Sequence, residues 1–237
     1  EWVNGGALRL AEAAGDQGLE LSQLVGHFLL HAFSDESMLE SDYGIEELQA
    51  FASTLSLFPG CDLVTIVLPY FDIDAAHDPV KAEEIFSRLE NKLRQMLNLA
   101  EEGQFRLGIE LMPSSLITGT GELARLFKEL DSDRLGYNYD TGHAWNCKEK
   151  LELIPFRLAG KIFGTHLCDN DGKTNTSDIP GSGSINWENC ISAIIRSGYS
   201  GSWDLEIRCP PEEVEGNYKR GLNFIKSRIE ATKEKQF

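Results

Sequence analysis

Two stretches carry residue types that could do chemistry together. Residues 135–146 read LGYNYDTGHAWN, where an apolar run ends at Asp140 with His143 three residues on. Residues 162–187 read IFGTHLCDNDGKTNTSDIPGSGSINW, where a second run ends at His166 with Asp169 three residues on. Glycines and turn formers follow both. In α/β proteins chemistry sits where strands give way to loops, so a carboxylate and an imidazole on neighbouring strand ends can meet at one point. Together they suit Mn²⁺, Co²⁺, Zn²⁺ or Fe²⁺, whereas carboxylate alone suits Mg²⁺ or Ca²⁺. Two further strand-like runs end alike: Phe105–Leu111 (FRLGIEL) carries Glu110, and Ser202–Ile207 (SWDLEI) carries Glu206. One such residue alone is more often a loop cap or a satisfied core group. Four consecutive strands offering a ligand at the same depth point to one mouth, because barrel strands converge at that face.

The elements that must position these residues follow from periodicity. Strands are expected at Leu19–Val25, Leu63–Leu68, Phe105–Leu111, Leu135–Asp140, Ile162–Cys168 and Ser202–Ile207. LVTIVL at 63–68 is apolar throughout, as a parallel strand covered on both faces must be. Helices are expected at Ala7–Gly15, Gly44–Phe58, Val80–Glu102, Gly121–Leu130, Leu151–Ala159, Trp187–Ser197 and Glu213–Ala231. The longest opens with Asp78-Pro79 and closes at Gly103, a start and a stop signal. Alternation of strand and helix means βα units around a parallel sheet. No Gly-rich dinucleotide turn and no P-loop appears. A (β/α) barrel is therefore the better expectation than an open doubly wound sheet.

The bulk properties narrow the function classes. A chain of 237 residues with 41% apolar residues can bury a sizeable core. Its formal net charge of −16 repels phosphate backbones, so no nucleic-acid partner is expected. No run approaches the roughly 20 apolar residues of a membrane span, and no signal peptide is visible. Five cysteines without a CxxC pair read as reduced thiols, which points to the cytoplasm.

The set IEL, LGYNYDTGHA, GTHLCDN, PGSGSINW and GYSGSWDLEI resembles the xylose isomerase-like TIM-barrel superfamily. This is the sugar isomerase/epimerase branch, which also includes the endonuclease IV-type enzymes. The resemblance runs from about Leu19 to the C-terminus, and the combination carries it. It implies an α/β fold, a (β/α)8 TIM barrel lacking its N-terminal strands in this chain, with 1–237 expected as a single, N-terminally incomplete domain. It implies one divalent metal ion held by Glu110, Asp140, His166 and Glu206, with Mn²⁺ the first choice and Mg²⁺, Co²⁺ or Zn²⁺ as options. It implies that Glu110 and Glu206 flank the substrate and exchange protons with it, and that His143 contacts a substrate oxygen. The metal would polarise a carbonyl and stabilise the enediolate, while one glutamate removes a proton and the other returns it. The expected function is a metal-dependent sugar or sugar-phosphate isomerase/epimerase acting on a small carbohydrate, with a homo-oligomer as an option. A metal-dependent dehydratase of the inosose or dehydroshikimate type is the alternative on the same ligands. A catalytically idle binding subunit is the third reading; it has no need for four convergent polar groups.

The chain departs from the family at several positions. Endonuclease IV-type members carry further ligands, Asp and His, where Asn175 and Ser177 stand here, with Asp178 offset by one. A trinuclear phosphodiesterase site is therefore not expected. Many epimerases have an Arg where Gly172 stands; Lys173, next to it, either substitutes in substrate contact or is a solvated loop lysine. Trp145 either walls the pocket against a sugar face or packs in the core. His27 and His31 either line the mouth or are packed, and His77 is expected on a surface loop. Asp169 joins His143, Lys173, Trp145 and His27 as a candidate for substrate binding. Cys168 is expected, by strand alternation, to face away from the ligand side and is not a nucleophile candidate. Gly181 and Gly183 are expected to permit a tight loop.

A complete barrel has eight strands in roughly 250 residues. The six counted here leave the first two strands and a helix expected upstream of Glu1, with the gap otherwise covered by another chain or by rearranged segments. An edge left open would recruit a partner.

Overall fold

The computed structural model describes residues 2–71 and 78–235. His77 lies outside the described residues. The chain forms two compact units, residues 1–116 with 126–136, and residues 117–125 with 137–237. Among the described residues each printed strand pair is parallel and joins strands that are consecutive in the chain.

The first unit holds β1 (Leu24–Val25), β2 (Leu63–Leu68) and β3 (Arg106–Leu111). Register runs from Leu63 opposite Arg106 to Leu68 opposite Leu111, which sets Glu110 opposite Val67. All six residues of β2 are buried, as its unbroken apolar run requires. The helices are α1 (Ala7–Asp16), α2 (Glu36–Glu40), α3 (Ile45–Ala52) and α4 (Pro79–Gly103). Asp78 caps α4 by accepting from the Val80 amide at 2.9 Å, and Pro79 occupies the first turn, where no amide partner is lost. Ile85, Leu89, Leu93, Met96 and Ala100 form its buried stripe at helical spacing.

The second unit takes in most of β4 (Leu135–Asp140) and β5 (Ile162–His166). α5 (Thr120–Leu130) begins in it, and α6 (Thr141–Asn146), α7 (Ile154–Arg157), α8 (Trp187–Arg196) and α9 (Val214–Glu234) complete it. Tyr137 lies opposite Ile162 but Asn138 lies opposite Gly164, so the register shifts by one residue. That bulge decides which residues share a face, because a one-residue slip exchanges the faces of everything beyond it. After it, Asp140 stands opposite His166. Tyr137 and Tyr139, on the alternate face, stack at 5.7 Å, and the Tyr139 hydroxyl donates to Leu151 O at 3.2 Å. Burial holds Tyr139 protonated and pushes the neighbouring Cys190 thiol up to about 12.

Several expected elements differ. The strand expected over 19–25 shortens to Leu24–Val25; Gly26 then leads into a 3-10 turn over His27–Phe33. The expected strand over 202–207 is one parallel bridge, Leu205 to Leu167. Five strands and a bridge thus replace the six expected. TGHAWN, for which no helix was expected, is α6, started by Asp140 accepting from the His143 amide at 2.6 Å. The helix expected over Leu151–Ala159 is one turn, α7, and Gly44–Phe58 breaks after Ala52 into a 3-10 turn at Leu55–Leu57. No helix among the described residues is long and apolar enough to cross a membrane.

Lys92 on α4 is 1% exposed, and its ammonium donates to Met38 O and to Ser41 O, the latter at 3.0 Å. It thereby satisfies carbonyls at the end of α2. Burial lowers its pKa, against the pull of Asp42 and Glu47. Lys92→Met keeps the volume but removes the donor, so we expect a loss of about 1–3 kcal/mol, read from the urea midpoint. An unchanged midpoint would show that the two carbonyls do not need the ammonium.

Candidate metal centre

Alternation along β5 and its extension places Gly164, His166 and Cys168 on one face. Asp140 shares that face across the parallel pair. Beyond β5 the chain continues to pair: Leu167 N donates to Asp204 O at 2.8 Å, and Glu206 N to Leu167 O at 3.3 Å. This carries Glu206 beside His166. Asp140, His166 and Glu206 each offer a ligand atom, and these atoms lie within 4.8 Å of one another. Glu110 belongs to the first unit, near the end of β3, and is 3% exposed.

Asp140 is fully buried. Its Oδ1 accepts from the His143 amide, and the Cys168 thiol approaches Oδ1 and Oδ2 at 3.6 and 3.7 Å. The expectation that Cys168 faces away is therefore wrong: residues two apart on a strand share a face, so Cys168 follows His166. Burial first, then the charges of Asp140 and Glu206, push its pKa well up. The sulfur stays a thiol and donates, which is the opposite of a nucleophile's setting.

His166 Nδ1 and Glu206 Oε2 lie 2.9 Å apart. Glu206 Oε2 is buried and, among the described residues, accepts no hydrogen bond of sound geometry. A buried carboxylate oxygen left without a donor is costly, and a cation shared with the imidazole would satisfy it. Two carboxylates and an imidazole suit Mn²⁺, Co²⁺, Zn²⁺ or Fe²⁺, so these residues fit a divalent metal.

His143 heads inward from α6. Its side chain is 11% exposed, and its Nδ1 meets Asn175 Oδ1 at 2.9 Å. Trp145, half-buried, donates from Nε1 to Ser184 Oγ at 2.9 Å and leaves no room for a side chain on Gly172. Lys173 is exposed, its backbone amide bonded to Asp171 Oδ1 at 2.8 Å. His27 is exposed in the 3-10 turn after β1, and His31 stands edge-on to Tyr43.

Asp169 is buried and spends both oxygens on the chain that follows it. Oδ1 accepts from the amides of Asn170 and Ile185, and Oδ2 from Gly181 N at 2.9 Å and Trp187 Nε1 at 2.7 Å. It folds the 170–187 loop from inside. Gly183 is required there, because a Cβ would run into Asp169 Oδ1 and Asn170 O. Gly142 is required likewise, since its Cβ would lie 2.6 Å from Cys168 Sγ.

Sequence reasoning passed over Thr141 and Asn170. The Thr141 hydroxyl donates to Cys168 O at 2.7 Å and accepts from Cys168 N at 3.0 Å, which ties α6 to the strand beyond β5. Asn170 Nδ2 donates to Gly142 O at 2.8 Å, and its Oδ1 accepts from Gly172 N. Their polar side chains beside DTGH and HxxD were the available signal.

The family model for the xylose isomerase-like TIM barrel matches residues 2–228 and so spans both units. An uncharacterized protein, MJ1311, of Methanocaldococcus jannaschii is 26% identical over 159 residues, 64% of this chain and 54% of that protein. The chain thus spans about half the length of the curated relatives it matches. A D-tagatose 3-epimerase-like protein superposes with a TM-score of 0.80 at 20% identity, over 98% of this chain and 85% of the other. A crystal structure of the IOLI protein with a zinc atom gives 0.70 at 18% identity, over 98% and 82%.

Asp169→Asn keeps the shape but turns one of the two acceptor oxygens into an NH2 group that faces N–H donors. We expect a loss of about 2–4 kcal/mol and faster proteolysis within 170–187, measured by urea unfolding and limited digestion. Wild-type unfolding and digestion would mean that the loop is held by other contacts.

Proposed function

Because the chain belongs to the xylose isomerase-like TIM-barrel family, we propose that it is a divalent-metal-dependent isomerase or epimerase of sugars or sugar phosphates. The observation that carries this reading is the convergence of Asp140, His166 and Glu206, with Glu206 Oε2 buried 2.9 Å from His166 Nδ1 and in no hydrogen bond of sound geometry among the described residues. Glu110 is the fourth ligand of the proposal: it is buried, of the right type, and near a strand end as the others are. The sugar epimerase-like neighbour and the zinc-bearing neighbour support the substrate class and the metal requirement. We take Mn²⁺ as the metal, a small carbohydrate as the substrate and the cytoplasm as the place of work.

When bound, a divalent ion supplies Lewis-acid polarisation of the substrate's carbonyl. The protein's residues do the rest. One of Glu110 and Glu206 takes a proton from the carbon next to the carbonyl, and the other returns one from the opposite side. Return to the same carbon inverts it; return to its neighbour moves the carbonyl. His143 holds a substrate oxygen, and Trp145 offers an aromatic face for the sugar's C–H side. Lys173 and His27 are the outer polar contacts. Asp169 serves the substrate by shaping the 170–187 loop that carries Lys173.

Two measurements test this. Elemental analysis of purified protein should find about one equivalent of divalent metal, lost in the His166→Ala/Glu206→Gln double variant; full occupancy in that variant would overturn the ligand set. Turnover of ketoses and ketose phosphates in deuterated water should place deuterium on the carbon next to the carbonyl. Glu110→Gln and Glu206→Gln should each lower kcat on the order of 10²–10⁴-fold. Conversion without solvent deuterium would instead indicate a hydride shift.

A further inference from the structure

The extended segment 204–208 runs past Glu206 and places one more charged side chain on the same face. Leu167 N donates to Asp204 O at 2.8 Å, Glu206 N to Leu167 O at 3.3 Å, and Arg208 N to Ser177 O at 2.7 Å, so alternate residues turn their backbone the same way. The residues between them face α9. The Cδ1 atoms of Leu205 and Ile207 lie 3.3 and 3.0 Å from where a Cβ on Gly221 would stand. Side chains alternate along an extended chain, so Arg208 shares the face of Glu206 and lies one repeat, about 6–7 Å, further toward the loop end.

The backbone under Arg208 is fixed. Besides its own bond to Ser177, the Tyr218 hydroxyl holds Ile207 N at 3.2 Å and Ile207 O at 3.4 Å, and Pro210-Pro211 follows. Arg208 is exposed, and among the described residues its guanidinium joins no ion pair; Glu206 is paired with His166 instead. An arginine held at its base and open at its head, beside a carboxylate that does not take it, is available to an outside anion. In a chain with a formal net charge of −16, an anionic substrate needs such a local cation to enter.

We infer that Arg208 binds the phosphate of a sugar-phosphate substrate and so discriminates phosphorylated from free sugars. The planar guanidinium offers paired N–H donors that match two phosphate oxygens. With the reacting end of the sugar at Glu206, the offset to Arg208 suits a charge several carbons away, as on a terminal phosphate. A carboxylate next to the carbonyl would fall short of it. This inference rests on the proposed function and narrows its substrate class.

The test compares ketoses with their terminal phosphates and with the matching uronates. The wild-type protein should favour the phosphates in kcat/KM. In Arg208→Gln the phosphate-to-free-sugar ratio should fall by about 10–100-fold, mainly through KM, and Arg208→Lys should recover part of it, keeping the charge but not the fork. Calorimetric titration with inorganic phosphate reads the same site without turnover: Arg208→Gln should bind it about tenfold more weakly at equal metal content. A ratio unchanged in Arg208→Gln, or a wild-type preference for the free sugar or the uronate, overturns the inference and leaves the proposed function standing. Weaker phosphate binding in Arg208→Gln with no sugar turned over upholds Arg208 as a phosphate ligand and removes the proposed function. Equal phosphate binding in both proteins, with no turnover, overturns both.

Discussion

A carboxylate with no access to water, Asp140, is the constraint on which the centre depends. Burying a charge costs several kcal/mol unless partners surround it. The chain supplies three kinds of partner. The His143 amide donates at the start of α6, the Cys168 thiol donates from the extension of β5, and His166 stands opposite in the register. In the proposed function, a divalent ion shared with His166 and Glu206 would add positive charge beside it. DTGH is explained by the same constraint. Asp starts the helix, Thr141 ties it to Cys168, Gly142 leaves room for the sulfur, and His143 follows one turn on.

A second buried carboxylate, Asp169, works in the opposite manner. Its four donors are all protein groups, so its charge is spent on structure. The two aspartates show how environment assigns role: one converges with His166 and Glu206, the other is satisfied by its own loop. Because that loop also carries Asn175 and Ser184, its shape governs how His143 and Trp145 are held.

Much of this was legible in the sequence. LVTIVL could only be a doubly covered strand, and Asp78-Pro79 could only start a helix. The ligand types at Asp140, His166 and Glu206 stood out through their repeated place after apolar runs. Less legible were features that depend on tertiary contact. SWDLEI has strand composition but pairs through a single bridge at Leu205, since pairing needs a partner as well as a propensity. Residues 19–23 alternate as a strand does but join no ladder. Cys168 stands two residues beyond His166, so alternation puts both on one side, where the thiol meets Asp140. Asp169 was expected to bind substrate, because a sequence does not reveal which donors the chain will bring back 12 to 18 residues later.

The most direct test of the account is anomalous X-ray diffraction from crystals of the protein grown with Mn²⁺ and measured at the manganese edge. The account predicts one anomalous peak, coordinated by Asp140, His166, Glu206 and Glu110. A peak ligated by other residues, or none at these four under saturating Mn²⁺, would contradict it.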